Sequence, residues 1–158
     1  MTDRPPLYTQ ETVYSCGPAC LRMVLEHFGT VRSEAALRDL CDCNPVSILI
    51  RGLSDALKVV NAARALGWSA AKHNMGFEEL EREVGRGAFP IVNVMTRLTD
   101  SGPRVEPAVV VAGIAKDRVE VNDPWRGQYV YAKDDFIREW KDTYGLTILI
   151  SKEPDGDG

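Results

Sequence analysis

One cysteine stands where a protein would place a reactive thiol. Cys20, Met23, Val24, His27 and Phe28 fall at i, i+3, i+4, i+7 and i+8, one face of an α-helix, so Cys16 opens a helix predicted over 16–28. Pro18 sits in the first turn, where a missing N–H costs nothing, and Gly29 follows as a C-terminal cap. A thiol at a helix N-terminus feels the partial positive charge of unpaired N–H groups, which stabilises thiolate. The chemistry that suits it is nucleophilic attack on a carbonyl carbon. The plainer reading is an inert buried cysteine that starts a helix.

A nucleophilic thiol needs a base, and the chain holds only two histidines. His27 lies on the apolar stripe of the same helix, roughly 16 Å from Cys16 at 1.5 Å per residue, and reads as a core-edge residue. His73 follows a predicted strand and is expected near the surface. Glu106 is a weak substitute, because its reference pKa near 4.3 is poorly matched to a thiol unless burial raises it. Cys41 and Cys43 form a C-x-C pair that, with Cys16 and Cys20, lacks the usual C-x2-C spacing of zinc sites. No metal or other cofactor is expected.

The elements that must position Cys16 follow from periodicity. Ser33 is a plausible N-cap for a second helix carrying Leu37, Leu40 and Cys41. After the turn-rich start of 44–52, a third helix carries Leu53, Leu57, Val60 and Ala63 and stops near Gly67. Residues 68–72 read as a short strand, and Phe77, Leu80 and Val84 space a fourth helix ending at Gly85. Residues 90–95 read as a strand and 98–104 as a loop, with Ser101, Gly102 and Pro103 as breakers. The apolar run 108–112 suits a buried central strand, and 118–121 alternates as its antiparallel partner. A turn at 123–127, a strand at 128–131, a short helix at 134–140 and a strand at 146–150 complete the chain. Helices first and an antiparallel sheet afterwards give an α+β layout, with helices packed to one side of the sheet.

Composition narrows the function classes. The 158 residues suit one core, and 44% apolar with 27% charged residues is ordinary for a soluble globular protein. A net charge of −4 without a basic stripe argues against nucleic acid as a partner. No apolar run reaches the roughly 18 residues of a membrane span, and the first ten residues lack the apolar core of a signal peptide. A cytoplasmic setting, and hence thiols rather than disulfides, is expected. The expected organisation is an N-terminal arm over 1–9, one domain over 10–151 and a flexible tail over 152–158.

Gln10 followed by Cys16-Gly17-Pro18-Ala19-Cys20-Leu21 closely resembles the nucleophile motif of the bacteriocin-processing cysteine peptidases, which remove double-glycine leader peptides and often form the N-terminal part of an export transporter. The likeness continues through 33–41, 52–67, 89–94, 109–114, 119–124, Gly127 and 134–140, from about 10 to 150. It implies a papain-like fold with N-terminal helices packed on an antiparallel sheet. It implies that Cys16 is the nucleophile, that Gln10 helps form the oxyanion hole, and that Asp123 orients the catalytic histidine; read alone, Asp123-Pro124 only starts a turn. The histidine itself should stand six residues before Gly113, where this chain has Pro107, which carries no titratable group. Gly17 and Trp125 are candidates for a substrate groove, with Arg126 beside them. Two readings stay open: a peptidase that cleaves or transfers at a peptide amide through Cys16, and a degenerate relative that binds a peptide or protein. Either implies a peptide or protein partner and an association with an export or biosynthetic system.

Overall fold

A computed structural model describes residues 4–43, 53–97 and 99–151; the expected turns of 44–52, residue 98 of the expected loop and the expected tail lie outside the described residues. Helix α1 (Cys16–His27) buries Cys20, Met23 and Val24 as the spacing predicts. Helix α2 (Glu34–Leu40) is capped by the Ser33 side chain, which accepts from the Ala36 N–H. Helix α3 (Leu53–Ala65) buries Val60 and Ala63 as expected but not Leu57. Leu57 is 45% exposed, whereas Ala56, Val59, Val60 and Ala63 are buried. This i, i+3, i+4, i+7 stripe contains small residues, and small residues let α1 come close. A Cβ on Gly17 would stand 3.0 Å from the Val59 side chain. Leu40, expected in the core, is likewise exposed at the end of α2.

The rest alternates strands with two further helices: β1 (Ser69–Asn74), α4 (Phe77–Gly85), β2 (Ile91–Asn93), β3 (Thr96–Arg97), β4 (Arg104–Val105), β5 (Ala108–Ile114), β6 (Arg118–Asp123), β7 (Gly127–Ala132), α5 (Lys133–Lys141) and β8 (Leu146–Ser151). Six strands form one sheet in the order β1-β8-β2-β5-β6-β7, every neighbour antiparallel. The expected loop after β2 closes as a small β3–β4 hairpin of two residue pairs.

Both faces of the sheet are covered, which corrects the expectation of a single helical side. On one face Cys20, Leu21, Val24, Leu37, Val59 and Val60 of the first three helices meet Ile91, Ala108, Val110 and Ile148. On the other, Leu80 of α4 with Phe136 and Trp140 of α5 covers Val92, Val109, Val111, Val119 and Val121. The reason is period 2: successive residues of β5 point to opposite faces, and all of 108–111 are apolar, so each face needs its own cover. A bulge between Val111 and Gly113 bends β5 where the N-terminal arm arrives. Arg4 pairs with Glu120 at 2.5 Å, and the Asn122 amide donates to the Pro5 carbonyl at 3.1 Å. Described from Arg4 onward, the arm is a strap across β6 toward the start of α1.

Candidate active site

Cys16 is the first residue of α1 and is 7% exposed. Ser15, the N-cap residue, makes no side-chain cap bond, and the first turn carries no acidic residue. The Ser15 hydroxyl instead donates to Glu34 Oε2 at 2.8 Å and accepts from the Thr12 N–H at 3.1 Å. Glu34 is fully buried. Its Oε2 also accepts from the Glu11 N–H at 2.8 Å and from Arg38 Nη1 at 3.0 Å, while Oε1 has no partner. A carboxylate on α2 therefore pins the segment that leads into Cys16. Sequence reasoning missed Glu34, because an acid in the first turn of a helix ordinarily serves the helix dipole and its partners lie 19 and 23 residues away.

Gln10 sits on that same segment. Its N–H donates to the Pro124 carbonyl at 2.9 Å, tying the segment to the turn after β6. Its side-chain Nε2 donates to the Thr12 carbonyl at 2.7 Å, so one of two amide hydrogens is spent within the loop.

Cys16 and Gly17 line a small pocket with Ala56, Val59, Asn93 and Ala108. It encloses about 10 Å³, room for about one water. Pro107 is buried just before β5, and its carbonyl accepts from the Val94 N–H at 3.1 Å. Beside it Glu106 Oε2 accepts from Asn93 Nδ2 at 3.2 Å. Neither histidine supplies an imidazole here. His27 ends α1 and packs edge-on against Phe28 and Phe89, at 5.1 and 4.6 Å between ring centroids. His73 is exposed on β1, an edge strand of the sheet.

Asp123 ends β6 and is fully buried. Its Oδ1 accepts from the Trp125 N–H at 2.8 Å and the Arg126 N–H at 3.2 Å, the geometry of an Asx turn. Its Oδ2 accepts from Arg126 Nε at 2.6 Å. The guanidinium continues to the Tyr131 hydroxyl at 2.7 Å and lies 3.9 Å from the Tyr129 ring centre. The Tyr131 hydroxyl donates to Glu139 at 2.8 Å, and Glu139 also accepts from Thr96. Burial alone would lower the Arg126 pKa, but the hydrogen bonds to Asp123 and Tyr131 outweigh it and hold the guanidinium above its ordinary value. Burial pushes the Tyr131 hydroxyl up. The turn is thus built around Asp123, with Trp125 presented at the surface, 49% exposed. Arg126, a candidate with Trp125 for lining a groove, is committed to Asp123 instead, and the signal for that is its i, i+3 spacing from Asp123.

No disulfide joins the four cysteines. Burial drives the Cys20 thiol well up, with Cys16, Asp123 and Glu34 adding in the same direction. Cys43 Sγ lies 3.0 Å from the Tyr14 carbonyl. Among the described residues, no group of three or more His, Cys, Asp or Glu is placed to hold a metal ion, and no helix is long and apolar enough to cross a membrane.

The chain matches the Peptidase C39 family over residues 4–155. A comparison with curated proteins finds no match. Among solved structures it is similar to the peptidase domain of Streptococcus ComA, a bi-functional ABC transporter involved in a quorum sensing pathway: 28% identity, TM-score 0.75, covering 93% of this chain and 98% of that one. The fold is shared with a double glycine motif protease from an AMS/PCAT transporter, solved in complex with the leader peptide, at 24% identity, TM-score 0.75 and coverage of 94% and 92%. It is shared too with a putative C39-like peptidase from Bacillus anthracis, at 16% identity, TM-score 0.72 and 97% coverage of both chains. A helix opened by Cys16 and packed on an antiparallel sheet is a papain-like fold, and the chain belongs to the peptidase C39 family.

Proposed function

We propose that this domain recognises a peptide of the double-glycine leader type and holds it without hydrolysing it, in the service of an export or biosynthetic system on the cytoplasmic side. The observation that carries this reading is the absence of an imidazole at Cys16 among the described residues. Pro107 fills the position where the family resemblance puts the base, and His27 and His73 lie elsewhere. Amide hydrolysis needs a group to take the thiol proton and return it to the leaving amine, and loss of one triad member costs orders of magnitude in rate. Binding has no such requirement. Cys16, Gln10 and Asp123 would then shape the cleft, with Gly17 and Trp125 beside it.

A hydrolytic reading rests on Glu106, which neighbours Pro107 and is bridged through Asn93 to the pocket of Cys16. The two are separated by fluorescence anisotropy with a labelled peptide in which a Gly-Gly pair is followed by further residues, measured on the protein and on Cys16→Ala. Equal saturable binding by both, lost when the Gly-Gly pair is replaced, supports the binding module. Peptide turnover that disappears in Cys16→Ala supports the enzyme, and no binding by either variant defeats the proposal.

A further inference from the structure

We infer that Arg126 is a second block to peptidase chemistry, independent of Pro107: its guanidinium holds the Asp123 carboxylate that a histidine at position 107 would need. In a cysteine peptidase the orienting carboxylate does two things for the imidazole. It accepts the ring N–H, fixing tautomer and direction, and its negative charge stabilises the imidazolium that forms when the thiol gives up its proton. Most of both capacities of Asp123 is drawn into the turn.

The hydrogen-bond count comes first. A carboxylate offers about four lone-pair sites. Three are taken, by the Trp125 N–H, the Arg126 N–H and Arg126 Nε. The charge comes second, and it weighs more. The Asp123–Arg126 contact is 2.6 Å, with the carboxylate fully buried and the guanidinium 18% exposed. At that distance and burial the pair is close to neutral as seen by a third group, and the net field on an imidazole is small. Nor is the guanidinium free to swing away. It is held at its far end by the Tyr131 hydroxyl and stacked on the Tyr129 ring. Tyr131 is itself fixed by Glu139, which Thr96 also anchors. The chain of contacts runs from β6 through β7 to α5 and β3.

Position 107 is within reach of this carboxylate. The β5–β6 register pairs Val110 with Asn122. Extended by one pair, it sets Val109 opposite Asp123, which makes position 107 a diagonal neighbour on the same face at about 7–8 Å between backbones. A histidine there would meet Asp123 with Arg126 already seated.

The test deepens the reading of an idle site, and its deciding readout, the titration of a ring, needs no peptide, so failure of peptide binding leaves it standing. The variants are Pro107→His, and Pro107→His combined with Arg126→Met, whose linear apolar side chain keeps the packing between the tyrosines. The readout is the midpoint of the new imidazole by proton NMR, identified by difference from the spectrum of the parent protein with His27 and His73. In the single variant the ring is expected to titrate at or below the ordinary value of about 6.5. In the double variant Asp123 is released and the midpoint should rise by about one unit or more relative to the single. Cys16-dependent cleavage of a Gly-Gly peptide should appear only in the double. Equal midpoints in the two variants, or cleavage restored by Pro107→His alone, would overturn the inference. If the methionine variant does not fold, Arg126→Gln removes the charge while keeping a donor for Tyr131, and the same comparison decides.

Discussion

Removing the Glu34 carboxylate should loosen the segment that presents Cys16. In Glu34→Ala the Glu11 N–H and the Ser15 hydroxyl each lose a hydrogen bond to the carboxylate, worth about 1 kcal/mol apiece because three donors share one oxygen. The Arg38 contact is charge-assisted and worth about 1.5–3 kcal/mol. Against these stands Oε1, a buried acceptor with no partner, whose removal returns about 1–3 kcal/mol. The expected net loss is about 2–3 kcal/mol. For a chain of this size that lowers the melting temperature by about 2–4 °C per kcal/mol, or roughly 4–12 °C. Glu34→Gln keeps an acceptor at Oε2 and loses only the charge, so its cost should be about half as large, with Glu11 still pairing Arg38. The assay is thermal unfolding of the three proteins, run beside iodoacetamide labelling of Cys16 located by mass spectrometry. Labelling should quicken in Glu34→Ala relative to the parent, because Glu11 and Ser15 no longer tie the start of α1 to α2. A melting shift under about 2 °C, together with unchanged Cys16 labelling, would refute the claim that Glu34 braces the site.

Three further outcomes follow from the same contacts. Cys43, the most exposed of the four thiols, should alkylate first in the native state; Cys20, fully buried and with its pKa driven up by burial, should label last and chiefly through unfolding. Tyr131→Phe leaves Arg126 Nη2 and Glu139 each short of a partner, so denaturant unfolding should show a loss of about 1–3 kcal/mol. Arg4 holds the Glu120 carboxyl below its usual range; a depressed carboxylate stabilises above its unfolded value of about 4.3 and loses that contribution as pH falls through the lower folded value. Hydrogen exchange in the strap should therefore accelerate, relative to its intrinsic rate, below about pH 4 in the parent and show no such step in Glu120→Gln.

Much of this architecture could be read from periodicity. Cys20, Met23 and Val24 place α1, Ser33 caps α2, and the all-apolar run of β5 announces a strand buried on both faces. That last signal, followed through, also implies two helical layers; assigning all helices to one side overlooked it. Where α4 and α5 go is decided by the position of β8 between β1 and β2, a pairing between distant segments that leaves no local periodicity. On α3, Val60 and Ala63 are buried as expected, but Leu57 is exposed and Ala56 and Val59 take the inner face; a leucine looks like core in sequence, and the approach of Gly17 to Val59 leaves no local mark. Cys16, Gln10, Pro107 and Asp123 are singled out in the sequence by the family resemblance. Glu34 and the Arg126–Tyr131–Glu139 chain are not, because their roles arise from contacts across separate elements.

The central claim is recognition without hydrolysis, and one measurement addresses it most directly. A synthetic leader peptide with a Gly-Gly pair is incubated with the protein and with Cys16→Ala, and both peptide ends are followed by mass spectrometry while anisotropy reports binding. Both proteins should bind saturably, with no difference between them in the amount of cleaved product. Cleavage after the glycine pair by the parent protein, abolished in Cys16→Ala, would contradict recognition without hydrolysis.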